Sequence, residues 1–197
     1  MDEYETPQGD LFDNDVQFII GNNAPKAAKP GKTNGEKIPT VKLSMFTELG
    51  KIKEWRCKLD DSWMGEVILI DNHKWASVKH YLEGAKWKKG YPDIYLEHSI
   101  DSGSKLSKDP KIDKYNKNKE SSIEDEDDKT SIPKPDADYF LGREEEERET
   151  AVRAKFTQHE ELRILLKNTH KALLLKKQTK GEPAKPDYIL MKIRKEL

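Results

Sequence analysis

The stretch HKWASVKHYLEGAKW, residues 73–87, gathers side chains that could do chemistry. His73 and His80 are candidates for metal ligation. They stand seven positions apart, and the chain holds neither HExxH nor CxxC. Scattered surface or capping histidines are the better reading, and no metal site is expected. KWKK, residues 86–89, and the six lysines between 105 and 119 offer cations with an interleaved aromatic. Such a pattern can hold phosphates and stack bases. Six acids between 120 and 128 follow directly and cancel much of that field, so solvated surface charge is the default. KPGKTNGEK, residues 29–37, has glycines and lysines but not the GxxxxGK[ST] spacing, and reads as a linker. Cys57 lies in EWRCKLDD, where Arg56 and Lys58 could lower its pKa. No histidine is adjacent in sequence, and a buried structural cysteine is favoured.

The elements that must position these residues are short. VQFII, 16–20, has the β-branched and aromatic content of a strand. MFTELGKIKEW places Met45, Phe46, Leu49, Ile52 and Trp55 at helical spacings, interrupted by Gly50. GEVILID, 65–71, reads as a buried strand, and DNH as a turn. Ser77 suits the N-cap of a helix running to Gly90, with Val78, Tyr81, Leu82 and Ala85 on one face. Pro92 suits the first turn of the next helix. EEEERETAVRAKF is a strong helix former with acids in its first turn. QHEELRILLKNTHKALLL carries Leu162, Leu165, Leu166 and Leu173 on one helical face, and Pro186 is expected to open a last helix. The predicted class is α+β, mainly helical, with a few short strands.

Composition bounds the rest. With 34% hydrophobic and 37% charged residues, the 197-residue chain is too polar to pack throughout. The expected organisation is a disordered acidic tail over 1–15, a short strand plus flexible loop over 16–38, and one domain over 39–197. Within that domain 114–135 reads as a disordered charged insertion. A net charge of −1 gives no global field for nucleic acid or anionic membrane. A single cysteine excludes an internal disulfide and suits a reducing compartment. The first 20 residues show no signal-peptide pattern, and no apolar run approaches membrane length. A cytoplasmic location is expected, with no membrane partner.

KLDDSWMGEVILIDNHKWASVKHYLEGAKWKK resembles the signature of the NADAR (YbiA-like) superfamily of N-glycosidases. That signature has a Ser-Asn-Phe element, a short strand, a turn, a Trp or Tyr, then Ser/Thr-x-Glu-His-Tyr, a Gln one turn on, and Lys-Phe. DYFLGR and AVRAKFTQHEELRILLKNTHKALL resemble the family's later Gly-Arg and Ala-x-x-x-Lys-Phe-x-Gln-Asn elements. The resemblance covers 16–20 and 42–197, apart from 114–135. It implies a YbiA-like single domain. PGKTNGE, DSGSKLSKDP and LMKIRKEL are most similar to the branch carried by large DNA viruses, which implies host cytoplasm or virion.

The resemblance implies hydrolysis of an N-glycosidic bond to a ribose phosphate or ADP-ribose, with no cofactor. The transition state of such a reaction is oxocarbenium-like, and a carboxylate near the sugar stabilises it. The family's carrier is the Glu of Ser/Thr-x-Glu-His-Tyr, and here that position is Lys79. Two unit charges 4 Å apart interact by about 4 kcal/mol at an effective dielectric of 20. Reversing that sign costs several kcal/mol, and each 1.36 kcal/mol is about tenfold in rate. Other positions depart too. Asp60-Asp61-Ser62 stands for Ser-Asn-Phe, Glu83 for the Gln, and His159 for the later Asn.

Two readings follow. In one the hydrolase is lost. The chain is then a nucleotide-binding or structural protein, and Lys79 and Glu83 form an ordinary i,i+4 pair. In the other the carboxylate has moved to Glu83 or Asp61, with Asp60 and Asp71 as further candidates, and Lys79 holds a substrate phosphate. A carboxylate facing the pocket beside His80 and Tyr81 separates them. The binding residues carried over are Trp75, Lys79, His80, Tyr81, Lys86, Gly142, Arg143, Lys155 and Gln158. Arg143 is the favoured phosphate contact because guanidinium matches phosphate bidentately. A third class, a nucleic-acid- or virion-associated protein, would use the lysines of 86–119.

Overall fold

The computed structural model describes residues 11–114, 133–178 and 181–197. Most of the expected acidic tail and of the charged insertion therefore lies outside the described residues. The architecture is α+β and mainly helical, as the sequence predicts. The described residues group into two compact units, one of residues up to Asp60 with His159–Leu197, the other of Asp61–Gln158. Among the described residues no helix is long and apolar enough to cross a membrane.

The first unit is built on a three-stranded sheet of order β1-β4-β5. Strand β1, Asp13–Ile20, starts three residues before the expected run and buries Val16, Phe18 and Ile20 in alternation. It pairs in parallel with β4, Ala172–Lys176, which pairs antiparallel with β5, Lys185–Pro186. Phe18 meets Phe46 and Trp55 edge-on at centroid distances of 5.1 and 5.2 Å. Those two rings flank the short helices α1, Thr47–Lys51, and α2, Trp55–Lys58. The loop between β1 and α1 is pinned by a buried ion pair. Glu36 accepts from both Arg56 Nε and Nη2 at 2.7 Å, while Arg56 also donates to the carbonyls of Ala28 and Lys29.

Two expectations are corrected in this unit. Leu173 does not continue the helical face of Leu162, Leu165 and Leu166. That helix, Glu160–Lys167, stops at Asn168, and ALLLK becomes the buried strand β4 because β1 supplies its ladder partner. Pro186 belongs to β5, and Asp187 caps the final helix, Tyr188–Glu196, by accepting from Leu190 N–H. Arg194 of that helix is buried and donates to Thr169 Oγ1 and to the carbonyls of Ala172 and Leu11. Burial pushes its pKa down to about 10.

The second unit starts with the hairpin of β2, Ile68–Ile70, and β3, His73–Trp75. Asp71 and Asn72 both have positive φ, 54° and 62°, which a two-residue type I′ turn demands. The expected buried strand over 65–71 is shorter than predicted, and Val67 and Leu69 are half-exposed. Helix α3, Val78–Ala85, is capped by Ser77 as expected but ends before Gly90. Leu82 is only partly buried, whereas Val78, Tyr81 and Ala85 are fully so. Helix α4, Pro92–Glu97, opens with its proline. At Gly84 an added Cβ would sit 3.0 Å from the Tyr95 carbonyl oxygen and 3.2 Å from the Trp75 ring, so glycine lets α3 and α4 meet closely. Helix α5, Arg143–Gln158, completes the unit, burying Glu147, Ala151, Val152, Lys155 and Phe156.

Candidate functional site

Trp75, Tyr81 and Tyr95 form an aromatic group in the second unit. Trp75 lies edge-on to Tyr81 at 5.2 Å and tilted against Tyr95 at 4.9 Å. The Trp75 indole donates to the Ile70 carbonyl across the hairpin at 3.1 Å, which fixes its ring. Both tyrosine hydroxyls then meet carboxylates. Tyr81 donates to Glu147 Oε2, and Tyr95 donates to Asp71 Oδ2 at 2.7 Å. Burial, followed by those neighbouring carboxylates, holds both phenols far above their ordinary range, so they act as donors.

Lys88 joins the two carboxylates. Its ammonium lies 2.8 Å from Asp71 Oδ2, 3.4 Å from Glu147 Oε2 and 3.0 Å from the Tyr81 hydroxyl. It also stands 5.5 and 5.7 Å from the Tyr81 and Tyr95 ring centroids. Burial raises the Asp71 pKa, but the hydrogen bonds from Lys88 and Tyr95 outweigh it and leave the group below its usual range. Glu147 has a second cation, with Arg143 Nη1 at 3.0 Å from Oε1. Arg143 is further held by Asp136 at 2.6 Å, Asp138 at 3.3 Å and the Ala85 carbonyl at 3.1 Å.

Lys79 points elsewhere. Its ammonium pairs with Asp113 at 3.1 Å, and its backbone N–H donates to the Asp61 carbonyl. Glu83 pairs with Lys86 at 2.8 Å, so the expected i,i+4 pair of Lys79 with Glu83 is not formed. Asp61 takes Arg148 on both oxygens, at 2.7 and 3.2 Å. His80 is buried between Ser77 Oγ at Nδ1 and the Asp109 carbonyl at Nε2. A carbonyl only accepts, so Nε2 carries the proton and Nδ1 accepts from the serine. Desolvation lowers the His80 pKa. The Asp109 contact opposes that shift, and His98 and Lys79 reinforce it.

The carried-over residues thus fall into separate settings. Trp75, Tyr81 and Arg143 join one network. Glu83 and Lys86 form their own pair. Gln158 forms a two-way amide link with the Leu69 backbone, at 2.7 and 2.8 Å. Lys155 is buried with its ammonium 5.2 Å from the Phe156 ring. Gly142 ends a 3-10 turn with φ 117° and has open space at its Cβ position. Sequence reasoning missed Glu147, Lys88 and Tyr95. Arg143 and Glu147 are spaced i,i+4, which was the one available signal. In the sequence Lys88 belongs to the charged run KWKK, which reads as solvated surface. Lys86 is ion-paired with Glu83, Lys88 with Asp71 and Glu147, and Lys89 with Asp138; among the described residues of that region Lys89, Lys105, Lys108, Lys111 and Lys114 are exposed. Among the described residues no group of three or more His, Cys, Asp or Glu could hold a metal ion.

No family model and no curated protein matches the chain. Among solved structures, the NMR structure of the E. coli protein YbiA is similar, with a TM-score of 0.50 and 18% sequence identity. The likeness covers 92% of this chain and 84% of that one. The chain therefore has a YbiA-like fold.

Proposed function

We propose that this chain is a NADAR-type protein that binds a ribose-phosphate or ADP-ribosyl ligand and has lost the N-glycosidase step. The observation that carries this reading is the setting of Lys79. The position at which the resemblance places the sugar-facing carboxylate bears an ammonium paired with Asp113. The Ser-x-x-His-Tyr frame around it persists, with Ser77 capping α3 and His80 and Tyr81 buried. The YbiA-like fold supports family membership. The likeness to the branch of large DNA viruses rests on the sequence stretches alone. Titrating ADP-ribose into the full chain tests the binding half by calorimetry. Saturable binding is expected, and no heat above dilution would sink it.

A second reading is favoured by one contact. Glu147 is a carboxylate beside Tyr81, the position that a relocated catalytic acid would need. Lys88 and Arg143 share its charge and weaken its use for stabilising a sugar cation. If hydrolysis does occur, this reading requires that Glu147→Gln abolish it while Glu83→Gln and Asp61→Asn leave it.

A further inference from the structure

We propose that Tyr81, Tyr95, Asp71 and Glu147 form a receptor for a small organic ammonium ion, kept filled by the chain's own Lys88. This inference rests on the geometry of the second unit and not on the ribose-phosphate reading. The Lys88 ammonium touches one oxygen of each carboxylate and the Tyr81 hydroxyl, and two tyrosine rings flank it. Carboxylates that accept N–H bonds beside aromatic faces are the chemistry that recognises an alkylammonium.

The receptor does not need Lys88 to hold its shape. Asp71 is set by the type I′ turn and by the Tyr95 hydroxyl. Glu147 is set by Tyr81 and by Arg143, and Arg143 by Asp136. Trp75 packs against both tyrosine rings. Lys88 is the member that reaches the group on a flexible aliphatic stem. It follows the end of α3 at Ala85, and its side chain is 30% exposed, so its flexible stem has a route to solvent. A ligand ammonium would take over the same acceptors as Lys88 swings out.

The test is a thermal-shift titration with n-propylammonium chloride against sodium chloride at equal ionic strength. Lys88→Ala removes the four heavy atoms that this probe supplies. Saturable stabilisation of Lys88→Ala is expected. Wild type should respond at concentrations about tenfold higher or more, because the tethered lysine competes at high effective concentration. Lys88→Met, whose stem fills the space without charge, should fold and not respond. Adding Asp71→Asn to Lys88→Ala should abolish the shift. A Lys88→Ala protein that responds equally to both salts overturns the proposal, as does a shift that survives Asp71→Asn. If Lys88→Ala does not fold, the wild-type titration decides, and a wild type that answers both salts alike overturns it.

Discussion

The Tyr81 hydroxyl donates to the Glu147 carboxylate, joining α3 to the first turns of α5 across 66 positions of sequence. Both residues are at least nine-tenths buried, and Glu147 also holds Arg143 and Lys88. Glu147→Gln keeps the shape but removes the charge that both cations face. A loss of about 1–3 kcal/mol is expected from weakening these buried charged contacts. Tyr81→Phe should cost less, about 1 kcal/mol, because Glu147 keeps its two cations. Urea unfolding checks the order, and equal or negligible losses would contradict it.

The Glu36–Arg56 pair stabilises the loop between β1 and α1. Its two side chains are 0% and 1% exposed. Replacing one partner of such a pair strands the other charge away from water. Glu36→Gln should therefore cost about 3–5 kcal/mol, although the loop it anchors is rich in Gly, Pro and Lys. Equilibrium denaturation measures this, and a cost under about 1 kcal/mol would mean that Arg56 finds water or another partner.

How far the sequence reveals these features depends on the range of the interaction. Ser77 as a helix cap, Pro92 in a first turn and the β-branched run at 16–20 were legible because each acts through neighbours a few residues away. Leu173 reads as helical because its spacing to Leu166 fits a helix, while the parallel partner that makes it a strand lies near the N-terminus. The loop at 21–38 reads as a flexible linker in the sequence because the arginine that binds its Glu36 comes 20 positions later. Family likeness singled out Tyr81 and Arg143, but Glu147, their shared partner, carries no motif of its own. The partner of Lys79 is hidden for the same reason, since Asp113 lies 34 residues downstream, beyond α4 and two short 3-10 turns.

The buried His80 gives a pH dependence of defined sign. Its folded pKa lies below the ordinary value of about 6.5, so the folded state binds its proton less readily than the unfolded chain. This stability is fully present above about pH 6.5 and is lost as pH falls from there through the folded value. His80→Gln keeps a side-chain N–H for the Asp109 carbonyl and removes the titration. The difference in urea midpoint between wild type and variant should therefore shrink or reverse on going from pH 7.5 to about pH 5. A constant difference would show that His80 does not carry the effect.

Asp71 titrates below its ordinary range because Lys88 and Tyr95 outweigh the cost of its partial burial. Its contribution is present above the unfolded carboxylate pKa, about 3.9, and is lost as pH falls through the lower folded value. Lys88→Met removes the first of those two donors. The Asp71 carboxyl carbon resonance should then titrate at higher pH than in wild type. An unchanged midpoint would mean that the Lys88 contact is not populated in solution.

The most direct test is the release of ADP-ribose from an oligonucleotide carrying ADP-ribosylated guanine, followed by chromatography. Lys79 in place of the expected carboxylate predicts no release by the wild-type chain. It also predicts release by Lys79→Glu/Asp113→Asn, which returns a carboxylate to position 79 with no cation at 113 to pair with it. Wild-type release that disappears in Glu147→Gln would contradict the loss of hydrolysis and assign the chemistry to the carboxylate at Tyr81.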